Sequence, residues 1–460
     1  MAEVHVAPTI DSTAAPGSEP WPSAGRAWYS VIVFGLTVFT LFGTLFVVSL
    51  IVEPIRLDLK LTDLQVALIF GSASPFILAI ASLLVGPLAD IYSRRLIIGL
   101  GLVILGLSNL GTALVTGAAA LLFVRLLGGI GGAGNGPATF SLLADTFPPA
   151  KLPKAMAAMN IGFMLALGLA YIIGGHLVRS LATPEYTLPL LGTMRSWQFV
   201  FVILSVPDLV LGMLVLFTVF EAPRRGQLAA RTSKPRIKDA LDYRQVLGYL
   251  SENRRAFAPM YIGLLLNCIA TGGNTIFMPA FYQRTHGWGP GDFGVYQGWV
   301  LLILAPAALM FGGWLAERMN KRGVSDANQR VVVWASLAHI PFATLFALVP
   351  SPWVALALAS LNTCVIAIGT GPQNAAFQAI APNNMRAKIT ATFLFMFTIG
   401  QAIGPIFVGF LTTYVFGDPN DLRYALTLMH GVLGPLAAWV FWSGLRAYGE
   451  AYQRARALHA

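Results

Sequence analysis

Twelve times along the chain, a run of roughly 20 mostly apolar residues is closed by a short polar break. The runs lie near 27–52, 64–86, 95–117, 119–145, 153–178, 197–220, 257–282, 293–316, 329–349, 352–378, 387–415 and 423–446. In hydrocarbon every backbone N–H and C=O needs an internal partner, and a continuous apolar run of this length meets that need as an α-helix. The expected fold is therefore an all-α polytopic membrane protein with twelve transmembrane helices. Composition agrees: 56% of residues are hydrophobic and 11% charged, against about 25% charged in soluble domains.

One long polar interval, 221–256, splits the runs six and six. We expect two six-helix bundles, 27–220 and 257–447, joined by a cytoplasmic linker. Tails 1–26 and 448–460 flank them. The first tail is rich in Ala, Pro and Ser and has no apolar core, so it reads as loose chain rather than a signal or a span. With the N-terminus inside, 23 Lys and Arg fall on the inner side, six on the outer side, and Arg125 within a span. That bias places both termini in the cytoplasm of a cell (inner or plasma) membrane. It also accounts for the net charge of +10 without a nucleic-acid partner. Cys268 and Cys364 sit in apolar runs and have no metal or disulfide spacing.

The halves repeat. "GPLADIYSRR" returns as "GWLAERMNKR", with Gly86 and Asp90 matching Gly313 and Glu317. "GPATF" answers "GPQNA", and "FPPAKLPKA" answers "IAPNNMRAK". A parallel repeat of two six-helix units is a pattern of alternating-access transporters.

The run G-x-L-x-D-x-x-x-R-R resembles the signature loop of the major facilitator superfamily, and its second copy sits where that family puts one. "SLIVEPIRLDLKLTDLQVALI", "RLLGGIGGAGNGPATFSLLADTFPP" and "FEAPRRG" are similar to the Spinster-like branch. The likeness covers nearly the whole chain from about residue 27. It implies a monomeric transporter of small-molecule substrates among membrane lipids, neither an enzyme nor in need of a cofactor. Two departures stand out. Thr44 and Leu45 occupy the position of that branch's Asp-Arg pair, and Gly132 that of its Glu. Either proton coupling is absent or another acid carries it.

The resemblance also implies that the first, fourth, seventh and tenth helices line a central cavity. Each has a polar stripe at helical spacing: Thr37, Thr40, Thr44; Arg125, Gly132, Asn135; Asn267, Thr271, Asn274; Asn362, Gly369, Gln373. The polar members Thr40, Thr44, Arg125, Asn135, Asn267, Thr271, Asn274, Asn362 and Gln373 are substrate-binding candidates. The competing reading is helix–helix hydrogen bonding, worth about 0.6 kcal/mol per contact. Arg125 is the sharpest signal, because an Arg at that depth costs at least ~2.5–3.5 kcal/mol to insert. It suits a carboxylate or phosphate held by two parallel bonds.

Asp208 is the one acid in the middle of a span. It is a candidate proton carrier or, on a helix usually peripheral, a hydrogen-bonded partner of the kink at Pro207. His339 reads as a packing histidine. Gly128, Gly132 and Gly136, like Gly400 and Gly404, form GxxxG steps suited to close or sliding helix contacts. Gly86, Asp90 and Arg94, with Glu317 and Arg318 in the second copy, are candidate gating residues. In the linker, Ile237, Leu241, Leu247 and Leu250 suit the inner leaflet surface.

The expected function is movement of a small organic anion or an amphiphilic, lipid-like solute by rocking of two bundles. No G-x-x-x-x-G-K-[ST] loop offers ATP as the driver. A proton-coupled drug exporter is the alternative within transport, although "GLAYIIGGH" does not match the antiporter glycine pattern. A membrane sensor on a transporter scaffold is the alternative from another class.

Overall fold

The computed structural model describes residues 21–181, 185–189, 192–225, 243–382 and 385–457. The N-terminal bundle holds α1 (Ala24–Asp58), α2 (Asp63–Val66, a π turn Ala67–Ser72, then Ala73–Ile91) and α3 (Arg94–Leu114). It is completed by α4 (Ala118–Gly132 and Pro137–Thr146), α5 (Leu152–Leu165, a π turn Ala166–Ala170, then Tyr171–Ser180) and α6 (Ser196–Thr218). The C-terminal bundle holds α7 (Arg254–His286), α8 (Asp292–Lys321), α9 (Ala327–Leu345), α10 (Pro352–Ala379), α11 (Arg386–Phe410 with a π end, Leu411–Phe416) and α12 (Leu422–Ser443). Eleven of these are long and apolar enough to cross a membrane; α9 is the exception among the twelve.

Local chemistry sets the ends. Thr62 and Gln65 form a reciprocal capping box at the start of α2. Ser93 accepts the Leu96 N–H at the start of α3, and Gly287 closes α7 at φ 66°, a conformation that costs a side chain dearly. The glycine run of α4 interrupts that helix between Gly132 and Pro137.

Three elements depart from the sequence reading. An antiparallel hairpin, Glu185–Leu188 with Gly192–Arg195, joins α5 to α6 and is the one pair of strands among the described residues. The expected C-terminal tail instead forms a helix, Leu445–Ala457, because Tyr448 and Ala451 bury one of its faces. A second short helix, Arg244–Glu252, ends the linker and buries Val246. Its Leu247 is exposed, and Leu250 packs partly against the C-terminal bundle. Ile237 and Leu241 lie outside the described residues.

The core divides into three. One cluster joins Leu50, Ile51 and Phe70 of the N-terminal bundle to Phe277, Phe281 and Tyr282 of the C-terminal bundle. It lies at the end of the molecule away from the chain termini, called here the far end. The other two lie at the terminal end, one per bundle. Phe34, Leu102, Leu142 and Val215 form the first; Phe257, Met260, Phe377 and Phe441 form the second. The bundles are thus one body at the far end and two separate bodies at the terminal end.

Candidate functional site

Inside the N-terminal bundle three helices meet at a buried polar chain. Arg125 on α4 donates from Nη1 to Asn109 Oδ1 on α3 at 3.0 Å. Asn109 donates from Nδ2 to Asp208 Oδ2 on α6 at 2.9 Å. Asp208 and Asn109 are fully buried and Arg125 nearly so. The guanidinium lies 5.7 Å from the centre of the Phe201 ring, a favourable site for a cation. Two atoms remain without a partner among the described residues, Arg125 Nε and Asp208 Oδ1. The Thr40 side chain on α1 faces the same carboxylate. Asp208 therefore points into the bundle despite the peripheral position expected of α6.

The other candidates are placed as follows. Thr44 is buried on α1, and Asn135 is buried at the break in α4 with neither amide atom bonded. Thr271 returns its hydroxyl to the Asn267 carbonyl at 2.9 Å and lies 3.5 Å from Gln401 of α11. Asn267 and Gln373 are half-buried. Asn274 and Asn362, read as cavity-lining, are bonded within their own bundle. Asn274 Oδ1 lies 3.2 Å from His430 Nε2 on α12, and Asn362 Oδ1 lies 2.7 Å from His339 Nδ1 on α9. The polar stripes of α4 and α10 thus turn at least partly toward their bundle neighbours. Period alone marks a face without saying what it meets.

The signature-loop residues assemble a second site at the terminal end. Arg94, 1% exposed, donates from Nη1 to Asp145, from Nε to Glu221 at 3.1 Å and from Nη2 to the Ala222 carbonyl at 2.6 Å. Glu221 also accepts from Ser93 Oγ at 2.7 Å and from the Arg95 N–H at 2.8 Å. It therefore supplies a negative charge at the N-terminus of α3, where the helix dipole favours one. Burial opposes its charge, but the bonds from Ser93, the Arg95 N–H and Arg94 outweigh that and hold its carboxyl below the usual range. Three separate motifs of the sequence, "SRR", "LADTFPP" and "FEAPRRG", meet here. The described partners of Arg94 lie in its own bundle or in the first residues of the linker after α6, none of them in the C-terminal bundle. Gly86 and Asp90 lie on the last turns of α2, and the Asp90 side chain is outside the described residues. In the second copy, Glu317 pairs with Lys321 on the surface, at 2.5 Å, and Arg318 lies over the Trp314 ring.

The far-end closure was missed in the sequence, where Arg56 and Arg284 counted toward topology and Glu53 and Asp63 entered only within the stretch similar to the Spinster-like branch. Arg284 of α7 grips Asp63 of α2 with two parallel bonds of 2.7 and 2.8 Å, and Glu53 of α1 at 2.5 and 2.8 Å. All three side chains are less than a tenth exposed. Arg56 holds the other oxygen of Glu53 at 2.7 Å. A second pair, Arg179 with Asp292 at 2.5 Å, crosses from α5 to α8. The available signal was charged residues beside Pro and Gly at apolar run ends, which sequence spacing cannot pair.

Residues 32–405 match the family described as Major Facilitator Superfamily. The chain belongs to the major facilitator superfamily. It is a membrane transporter rather than an enzyme, with the helical fold of that superfamily. It is 27% identical over 436 residues to an MFS-type efflux pump of Mycolicibacterium smegmatis, covering 92% of this chain and 94% of that protein. It is 23% identical over 346 residues to multidrug resistance protein MdtL of Salmonella typhi, covering 74% and 77%. Its fold matches a bacterial homologue of the human lysosomal transporter Spinster, in an inward-facing and unoccupied conformation. That match has a TM-score of 0.75 at 20% identity, over 94% of this chain and 98% of the other. In this superfamily member, the parted terminal end and the sealed far end describe one conformation of a transporter.

Proposed function

We propose that this secondary transporter moves a small organic anion or an amphiphilic, lipid-like solute by alternating access. Its terminal end, and so both termini, would face the cytoplasm of the cell membrane. The observation that carries the reading is Arg125, deep in a span, bonded by one nitrogen to Asn109 with its Nε still free of any described acceptor. A guanidinium held this way keeps a donor for a carboxylate or phosphate. Thr40 and Asp208 stand beside it; Asp208 would carry the coupling proton that the absent acids of the Spinster-like branch cannot. Asn267, Thr271 and Gln373 would meet the solute from the other bundle, and the Arg94 cluster would set the gate at the terminal end. The positive-inside bias supports the orientation.

A second reading, export of drugs, is favoured by the names of the efflux pump and multidrug resistance protein that the chain resembles. Reconstitution in liposomes separates the two, with labelled organic acids, lysolipids and neutral or cationic drugs supplied with and without a pH gradient. Arg125→Ala is expected to lower uptake of anionic solutes at least tenfold and of neutral ones far less. Equal loss for both removes the anion reading. A pH-gradient effect that survives Asp208→Asn removes the proton role of Asp208.

A further inference from the structure

The C-terminal bundle holds a buried polar network on the helices that correspond, in the six-plus-six repeat, to those of the Arg125 chain. There α3, α4 and α6 meet through Asn109, Arg125 and Asp208; here α9, α10 and α12 meet through His339, Asn362 and His430. Asn274 of α7 is the fourth member. The first network carries opposite fixed charges. The second carries two imidazoles and two amides.

The hydrogen positions follow from the orientation of the two amides. Each imidazole faces an amide oxygen: His339 Nδ1 faces Asn362 Oδ1, and His430 Nε2 faces Asn274 Oδ1. An oxygen can only accept, so these ring nitrogens carry the protons. That leaves His339 Nε2 and His430 Nδ1 with lone pairs. His430 Nδ1 is buried with no partner. The rings stand edge to face with centres 5.2 Å apart, and His339 and His430 are 2% and 0% exposed. The other neighbours bring no charge. Phe346, at the end of α9, lies 6.5 Å from the His430 ring, and Gly434 of α12 adjoins His339. Among the described residues no carboxylate, lysine or arginine is paired with either ring. Asn274 is the one partly exposed member.

We propose that His339 and His430 form a proton-binding site in the C-terminal bundle that takes one proton between them and links it to movement of α12 against α7. Imidazole in water changes charge near neutral pH; burial without a counter-charge favours the neutral pair in the present packing, so uptake of the proton is tied to the arrangement that admits water or an acceptor. One proton is the limit, since two imidazoliums this close in a dry bundle repel strongly. A proton added at His430 Nδ1 creates a donor with nothing to bond in the present packing. A buried donor without an acceptor is unfavourable, so the charged form favours an arrangement that brings water or an acceptor to α12. Asn274 is the route by which solvent reaches the pair. The inference rests on the transporter reading only for its purpose; proton uptake itself needs no substrate.

The test uses the full chain in lipid nanodiscs, with isotope-labelled histidine followed by NMR between pH 5 and 8. Spin labels at Phe140→Cys and Asn374→Cys, in a background with Cys268 and Cys364 replaced, report the separation of the bundles at the terminal end. The expected result is one proton taken up by the His339–His430 pair over this range, with a pH-dependent distance distribution. In His430→Gln and in His339→Gln the distance distribution should no longer respond to pH. Because glutamine keeps a hydrogen-bonding amide, a merely structural pair would leave the pH response of both variants intact, and that outcome overturns the proposal. So does a wild-type pair that takes up no proton across the range. If one variant fails to fold, the other and the wild-type NMR titration still decide.

Discussion

Single residues in this protein matter through the partners they leave behind when removed. Glu221 is the sharpest case, because it serves Arg94, Ser93 and the α3 N-terminus together. Glu221→Gln should lower stability by about 1–3 kcal/mol, by leaving charged and polar donors poorly matched. The check is the melting temperature of the purified protein in detergent. The pH dependence has a definite sign. The folded carboxyl titrates below its ordinary value of 4.5, so its contribution is complete above about 4.5 and lost as pH falls through the lower folded value. Wild type should therefore lose its advantage over Glu221→Gln on acidification below about 4.5; a difference between the two that stays constant from pH 7 to 3.5 would refute the assignment. At this scale the sequence marked Arg94, Arg125 and Asp208 as unusual, since ionised groups in or beside apolar runs are costly. It did not mark Asn109 or His430, whose lone polar side chains in apolar runs look like ordinary packing residues until their partners are known.

Helices in the two bundles approach where glycine removes the side chain. Gly101 of α3 and Gly131 of α4 cross so closely that a Cβ on either would stand 2.5 to 2.6 Å from the other's carbonyl oxygen. The blocking atoms are backbone and cannot rotate away. Gly101→Leu should cost at least about 1–3 kcal/mol from overpacking, seen as a lower melting temperature and lower yield of folded protein. Gly313→Leu, with nothing within 4 Å of its Cβ position, should be neutral. Eleven of the helices were legible because length and apolarity report a membrane span directly, and α9 followed from its place in the six-plus-six repeat. The hairpin between α5 and α6 was not, since strands of four residues carry too little pattern. Nor was the helical C-terminal segment, whose burial depends on a surface contributed by other helices.

Across the whole molecule, the far end is held shut by ions as well as by apolar packing. Arg284 bridges two carboxylates from the opposite bundle, with Arg56 supplying the second positive charge, and removing one partner of a buried pair costs about 3–5 kcal/mol. Arg284→Ala should therefore destabilise the far-end closure and shift the population toward opening on that side. Ile276→Cys, on α7 where it packs against Gly71 of α2, reads this out. Its labelling by a membrane-impermeant maleimide added from the far side should rise severalfold in the Arg284→Ala background. Labelling that stays at the wild-type rate would mean the ion pairs do not hold the closure. The same substitution should leave labelling at the terminal end unchanged or reduced, because opening one end of a rocking pair closes the other.

From its sequence alone this chain had to be a twelve-helix membrane protein of two related halves, because apolar run length, the distribution of Lys and Arg, and repeated motifs are local or additive properties. Tertiary structure alone decided which polar groups meet. Arg284 finds Glu53 and Asp63 across more than 200 positions of chain, and Asp208 is linked by hydrogen bonds to Arg125 through Asn109. A helix repeats its faces at a fixed period, but what each face touches depends on the rotation and tilt of its neighbours. Those are set by packing of the whole bundle, and no single segment encodes them.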